Sequence, residues 1–137
     1  MSRFWVMVVG MLLFTGGAVQ ARCAGFSDPP PLAAVEQLKE GLRQAEYEDT
    51  LRAFNLHEKG LERFILSLSQ ALPGKAISCT TLVRSRPSPN ALSEVFTLQS
   101  PNGYIYFIVS GIVSGSDFIM LDIHFTGEFE KIRGLLY

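Results

Sequence analysis

Apolar residues recur at helical spacing in the first half of the chain. Val35, Leu38, Leu42 and Ala45 follow one another at intervals of three and four residues, which places them on one face of a helix over about residues 33–44. The charged residues between them are expected to face solvent: Glu36, Lys39, Glu40 and Arg43. The stretch AEYEDTLRAF that follows either continues this helix or restarts it after a short break.

A further amphipathic helix is predicted to begin near Asn55. Asn55 and Glu58 have the spacing of a capping box, in which the two side chains satisfy free backbone N–H groups at the helix start. The apolar residues that follow form one face: Leu61, Phe64, Ile65, Leu68 and Leu72. Pro73-Gly74 is expected to end this helix.

The second half of the chain alternates between apolar and polar residues, as β-strands do. Strands are predicted at AISCTTLV, LSEVFTLQ, YIYFIVSGIV and FIMLDIHF, and KIRGLLY is interpreted as a short last strand. The first strand is expected to carry Ile77, Cys79, Thr81 and Val83 on one side, and residues 84–90 are expected to form a loop.

Tight turns separate the predicted strands. Asn102-Gly103 is a strong hairpin signal because both residues tolerate positive φ, and SGS at residues 114–116 predicts a second turn. Helices first and strands afterwards are typical of the α+β class. The pattern therefore predicts N-terminal helices packed on a curved, mainly antiparallel sheet of four to five strands.

The N-terminus has the layout of a secretory signal peptide. Arg3 precedes an apolar run over residues 4–14, and Val19 and Ala21 occupy the positions that a signal peptidase reads. Cleavage after Ala21 is predicted. The alternative is a membrane anchor, but a span needs about 20 apolar residues. The predicted organisation is a signal peptide over residues 1–21, an extended lead-in over 22–31 and a single domain over 32–137.

The chain contains two cysteines, Cys23 and Cys79. Cysteines of exported proteins usually pair, because the compartment is oxidising. Arg22 directly before Cys23 argues against a lipid-modified cysteine. We therefore predict a Cys23–Cys79 disulfide that ties the N-terminal arm to the domain, with an entropic stabilisation of up to about 4 kcal/mol. The alternative is two free thiols, and isolated cysteines so far apart do not suggest a metal site.

The charge balance is nearly neutral, with 12 lysines and arginines, 13 acidic residues and a formal net charge of −1. No basic stripe is present, so nucleic acid is not an expected partner. No transmembrane span is expected after signal cleavage. No phosphate-binding glycine loop and no Ser-His-Asp or Cys-His arrangement can be assembled from the spacing, so no cofactor, metal site or catalytic residue is assigned.

Four residues form a candidate pocket on the predicted sheet. Asp122 and His124 lie two apart on one strand and therefore point to one face, as do Tyr104 and Tyr106 on the strand before. An acid or imidazole beside tyrosine hydroxyls could move a proton next to a carbonyl. The alternative is a solvated polar face, and it is favoured because Phe118 and Met120 are expected to share that face.

Three stretches resemble the nuclear-transport-factor-2-like superfamily, in particular its small exported members. They are AEYEDTLRAFN, ALPGKAIS and FIMLDIHFTGEFEKIRGLLY, and the resemblance covers roughly residues 33–137. It implies a cone-shaped or cystatin-like α+β fold whose open sheet face holds the ligand pocket. The chain is shorter than the enzymatic members of that superfamily, and no catalytic motif accompanies the resemblance.

These patterns predict a small exported binding or protein-interaction domain, periplasmic or secreted, that binds an unidentified protein or small ligand. One alternative is a small isomerase or hydratase that uses the sheet-face pocket. Another is a cystatin-like inhibitor or immunity-type protein that uses its hairpin tips. A closed pocket with the four candidate residues converging would favour the enzyme, whereas a filled core with exposed apolar residues would favour an interaction protein.

Overall fold

A computed structural model of the chain describes residues 23–26, 28–54 and 58–137. Three helices come first: α1 Ala33–Arg43, α2 Tyr47–Arg52 and α3 Glu58–Ala71. Four strands follow: β1 Ser78–Ser88, β2 Ala91–Ser100, β3 Gly103–Ser114 and β4 Asp117–Thr126. The predicted signal peptide and Asn55 of the predicted capping box lie outside the described residues.

The four strands form one antiparallel sheet in the order β1-β2-β3-β4, so every strand pairs with its neighbours in sequence. The helices pack against one face of this sheet, which we call the inner face, and the opposite face is called the outer face. The predicted α+β class, with helices packed on an antiparallel sheet, is confirmed. Among the described residues the sheet has four strands.

The core lies between the helices and the inner face. The apolar stripe predicted for the first helix is buried there through Val35, Leu38 and Leu42. At the centre of the sheet, the rings of Phe96 and Phe107 stack at a centroid distance of 5.0 Å. Apolar residues buried at period two on β2 and β3 therefore account for the inner face of the sheet.

The helix breaks between α1 and α2. Of the two sequence interpretations of AEYEDTLRAF, the one in which the helix restarts after a short break is therefore confirmed. Ala45 has a φ of 62°, a left-handed conformation that interrupts the helix. α2 then folds back against α1, and a Cβ on Gly41 would overlap the side chain of Thr50. Glycine at position 41 thus permits the close approach of the two helices.

The prediction for the first strand is wrong in two respects. Residues 84–88, expected in a loop, continue β1 as far as Ser88. An irregularity in the pairing between Thr81 and Val83 also inserts one residue, so that Arg84 rather than Val83 turns to the inner face opposite Glu94. A bulge of this kind moves the side chains that follow it to the opposite face, here as far as the next irregularity, between Ser85 and Ser88.

A further bulge, in β4, changes which of its side chains point to each face of the sheet. Asp122 pairs with Ser110 and Met120 pairs with Gly111, so Leu121 is the extra residue between them. Phe118 and Met120 are therefore buried on the inner face, whereas Asp122 and His124 are exposed on the outer face. The expectation that these four residues share a face is wrong because the bulge inverts the alternation.

The C-terminal residues are not a fifth strand. They form two short 3-10 turns, Phe129–Lys131 and Arg133–Leu135. The Phe129 ring lies 5.8 Å from the ring of Tyr106, which places this segment against the outer face. Ile132 is fully buried but is not part of the helix-side core, so the segment buries a small apolar area of its own.

The N-terminal lead-in is attached to β1. Cys23 and Cys79 form the predicted disulfide, with their Cα atoms 4.8 Å apart. The backbone N–H of Ala24 donates to the Cys79 carbonyl at 3.1 Å, and that of Thr81 donates to the Ala24 carbonyl at 2.7 Å. The lead-in thus covers part of the edge of β1, through one covalent bond and two hydrogen bonds.

Reduction of the disulfide is expected to lower the melting temperature of the domain while leaving it folded at room temperature. The loss of stability should not exceed about 4 kcal/mol, the entropic value for a loop of this length. Thermal unfolding with and without reductant measures the shift, and the Cys23→Ser/Cys79→Ser variant should match the reduced protein. Two titratable thiols in the native oxidised protein would contradict the pairing.

Replacing Tyr47 by phenylalanine is expected to lower the free energy of unfolding by about 1–3 kcal/mol. The buried Tyr47 hydroxyl donates to the Leu72 carbonyl at 2.6 Å, and the variant would leave that carbonyl without its donor. Urea unfolding measures the loss. Tyr106→Phe is the matched control, with an expected change below about 0.5 kcal/mol, because no hydrogen bond joins the Tyr106 hydroxyl to another described residue.

Burial raises the pKa of Tyr47. Because the pKa of Tyr47 is higher in the folded state than in the unfolded state, where it is about 10, the neutral hydroxyl stabilises the fold fully below about pH 10. This stabilisation is lost as the pH rises through the pKa of the folded state. The difference in the free energy of unfolding between the wild type and Tyr47→Phe should therefore become smaller as the pH rises above about 10. A constant difference up to strongly alkaline pH would contradict this assignment.

Candidate functional site

A cluster of charged residues is buried between α1 and the sheet. The Lys39 side chain is 0% exposed, and its Nζ lies over the Phe96 ring at 5.5 Å from the centroid. Nζ donates at 2.8 Å to each of three oxygens: Glu36 Oε1, Thr81 Oγ1 and Glu94 Oε1. All three ammonium protons therefore have an acceptor.

Arg84 adds a second buried cation to this cluster. Its Nε donates to Glu94 Oε1 at 3.1 Å, and its Nη2 lies 3.4 Å from Glu36 Oε1. Its Nη1 donates to the backbone carbonyls of Phe26 and Pro29 at 2.7 and 2.8 Å. The cluster therefore contains two cations and two carboxylates, and it joins the lead-in to α1, β1 and β2.

The expectation that Glu36 and Lys39 face solvent is wrong. Both lie on the buried side of α1, beside the apolar stripe, because Glu94 and Arg84 on the sheet supply opposite charges. One signal in the sequence could have revealed this. Glu94 alternates with Leu92, Phe96 and Leu98, so its carboxylate had to lie on the apolar face of β2 and needed a buried cation.

The four residues predicted to form a pocket lie on the outer face, on the two strands farthest from β1. Asp122 pairs with Ser110 and His124 pairs with Ile108, whereas Tyr104 and Tyr106 lie further along β3. His124 Nε2 is 2.7 Å from Asp122 Oδ2, and both side chains are more than half exposed. The structure brings Asp122 and His124 together, and Tyr106 contacts Phe129 instead.

Two open clefts lie where the helices meet the ends of β4. The α1–β4 cleft has a volume of about 610 Å³ and lies beside Asp117 and Phe118, with Glu40, Glu46 and Phe54 on the helical side. Arg43 and Gln44 donate hydrogen bonds to Glu40, and the bond from Arg43 raises the pKa of that guanidinium.

The α3–β4 cleft has a volume of about 400 Å³ and lies at the other end of the strand. Arg63, Phe64 and Ser67 of α3 line it opposite His124 and Phe125 of β4. The rings of Phe64 and Phe125 contact each other edge to face, at a centroid distance of 5.2 Å. His124 lines this cleft, whereas Tyr104 and Tyr106 line neither of the two clefts.

Exposed apolar residues occupy the stretch of β4 between the two clefts. Ile119 is 54% exposed and Leu121 is 64% exposed, and Ile112 on β3 lies directly opposite Ile119. We call Ile112, Ile119 and Leu121 the apolar patch. Contiguous exposed apolar residues with a polar rim are typical of interaction surfaces, and here Asp122 and Ser110 form part of the rim.

Comparison with models of protein families, with curated proteins and with solved structures finds no match for this chain. Among residues 23–26, 28–54 and 58–137, no three histidine, cysteine or acidic side chains converge in a way that could hold a metal ion. No helix of this part of the chain is long and apolar enough to cross a bilayer.

Removing one charge from the buried cluster is expected to destabilise the protein strongly. Glu94→Ala leaves Lys39 and Arg84 with the single carboxylate of Glu36, and an uncompensated buried charge costs about 3–5 kcal/mol. The double variant Lys39→Met/Glu94→Ala removes one charge of each sign and should be more stable than Glu94→Ala alone. Chemical unfolding measures both differences.

Glu48→Ala is the matched control for this experiment, because Glu48 pairs with Arg52 on an exposed helix surface. Its expected effect is below about 1 kcal/mol. If Glu94→Ala were as mild as Glu48→Ala, or if the double variant were less stable than Glu94→Ala, the interpretation of the cluster as a charge-compensated unit would be wrong.

Proposed function

We propose that this chain is an exported protein-binding domain without catalytic activity, which contacts another polypeptide through the edge of β4 and the apolar patch. The observation that carries the proposal is the exposure of Ile119 and Leu121 on a strand that, in the described part of the chain, pairs with β3 alone. A strand edge offers unpaired backbone N–H and C=O groups to an incoming segment. Apolar side chains beside it supply contact area.

The filled core between the helices and the sheet favours a binding site on the surface over an enclosed one. Phe96, Phe107 and Leu38 are fully buried at the centre of the domain, so side chains fill the space between the helices and the sheet. The two clefts lie at the ends of β4 and are open to solvent. The proposed partner is therefore a polypeptide that lies along the strand, rather than a small molecule enclosed by the fold.

The isomerase or hydratase alternative has less support. It requires Tyr104 and Tyr106 to converge with Asp122 and His124, and the C-terminal segment contacts Tyr106 from the outer side. The Asp122–His124 pair is exposed, so water competes for every hydrogen bond a substrate would make there. An inhibitor of another protein is a form of the binding function proposed here.

Export and family membership belong to the same proposal. The N-terminal pattern and the Cys23–Cys79 disulfide support a location outside the cytoplasm, where disulfides persist. Three helices followed by an antiparallel meander agree with a small nuclear-transport-factor-2-like domain, of the cone-shaped or cystatin-like kind. We propose that the domain is a short member of that superfamily which uses its sheet edge instead of a pocket.

Site-specific photo-crosslinking in the producing cells tests the binding surface. A photoreactive benzoylphenylalanine replaces Leu121 in the full-length chain, and the same residue replaces Ile77 in the control. Ile77 is 61% exposed and lies beside β1, at the opposite side of the sheet, so the two sites match in exposure and character. We expect crosslinked protein products from position 121 and not from position 77.

Mass spectrometry of the crosslinked products identifies the polypeptide that contacts position 121. Products at position 121 alone support the proposal, whether the partner is this chain or another. Absence of products at position 121, or equal yields at both positions, would overturn it. The thermal unfolding of both labelled proteins shows whether they retain the fold.

A further inference from the structure

We infer that the polypeptide bound at β4 is a second copy of this chain, whose own β4 pairs antiparallel with the first across a two-fold axis. This inference rests on the proposed function, because it names the partner of the same surface. The resulting dimer would contain one continuous eight-stranded sheet. Three features of β4 support it: its free edge, the opposite charges at its two ends, and the apolar residues at its centre.

The outer edge of β4 is available for pairing. β4 pairs with β3 on one side, and no other described strand or isolated bridge contacts it. In the described part of the chain, no hydrogen bond between two backbone groups outside the sheet involves residues 117–126. By contrast, the lead-in covers part of the edge of β1 through the hydrogen bonds of Ala24. β4 is therefore the less protected of the two edges.

The charges at the two ends of β4 are opposite. Glu46 and Asp117 line the α1–β4 cleft, and neither forms an ion pair with another described residue. Arg63 lines the α3–β4 cleft and likewise has no ion-pair partner among the described residues. One end of the strand therefore has an excess of negative charge, and the other end has a cation, Arg63, that lacks a counterion among the described residues.

A two-fold axis near Leu121 would bring the negative end of each β4 beside the positive end of the other, so that the complementary contact occurs twice. In an antiparallel pair, the Asp117 end of each strand lies beside the Ile123–Phe125 end of the other, so Glu46 and Asp117 of one copy approach Arg63 of the second. A two-fold interface uses the same surface on both subunits, so a self-complementary surface is what it requires. Opposite charges at the rim favour this register and disfavour the parallel one.

The apolar patch lies close to the proposed axis. Ile119 and Leu121 of both copies would come together on the outer face, where each is more than half exposed in the single chain. The bulge at Leu121 divides β4 into two short runs, Asp117–Met120 and Asp122–Thr126. The first run of one copy would pair with the second run of the other, and the bulges would lie at the axis.

Charge-reversal variants on the two sides of the interface provide the decisive experiment. Sedimentation of the oxidised mature protein over a range of concentrations should show a reversible monomer–dimer equilibrium. Arg63→Glu and Asp117→Lys, made singly, should each weaken the dimer about tenfold or more, because each places like charges together twice. The combined Arg63→Glu/Asp117→Lys variant should recover the wild-type dissociation constant to within about threefold.

A mismatched double variant controls for net charge. Lys75 is exposed and lies in neither cleft. Lys75→Glu/Asp117→Lys has the same net charge as the recovered double variant but retains the like charges at the interface. Its dimer should have a dissociation constant as high as that of Asp117→Lys alone. Equal recovery by both double variants would show a net-charge effect and would overturn the proposed pairing.

Hydrogen exchange of the wild type gives a second, independent measurement. Backbone amides in β4 should become more protected as concentration rises, whereas β1 amides should not change. A wild type that is monomeric at every soluble concentration, or that dimerises without protection of β4, would overturn the inference. If photo-crosslinking at position 121 then captured a different protein, the proposed function would stand and self-pairing alone would fail.

Discussion

Lys39 can be buried only because three oxygens surround its ammonium group at 2.8 Å, and this requirement determines how the layers of the protein join. The oxygens belong to α1, β1 and β2, so the observed docking of the helix on the sheet satisfies the ammonium group from three elements. Through Arg84, the same cluster also holds the lead-in by two backbone carbonyls. A buried charge that loses its partner costs several kcal/mol, so alternative dockings are strongly disfavoured.

Much of the fold follows from periodicity in the sequence. The stripe through Val35, Leu38 and Leu42 predicted the first helix and its buried face, and the alternating runs predicted all four strands. The bulges at Leu82 and Leu121 could not be predicted, because these residues look like ordinary members of an alternating run. Each bulge depends on pairing with a neighbouring strand, and that information is not local.

Periodicity also placed two residues of the candidate site side by side. Asp122 and His124 do lie together, since residues two apart on a strand share a face and the bulge precedes both. The contact of Tyr106 with Phe129 could not be predicted, because the C-terminal segment turns back onto the sheet instead of forming a strand. The clefts beside β4 combine residues from three helices and one strand, and only the tertiary packing of those elements reveals them.

We expect the buried cluster also to influence the order in which this chain folds. Two partners of Lys39, Thr81 and Glu94, lie 42 and 55 residues further along the chain. A nascent chain that ends after α3 lacks both, so its helices have no surface on which to bury their charged and apolar faces. The sheet, whose pairings are all between sequence neighbours, can form with short loop closures. We therefore expect the helical half to dock only after β2 has formed, so that a chain emerging N-terminus first acquires its fold late in synthesis.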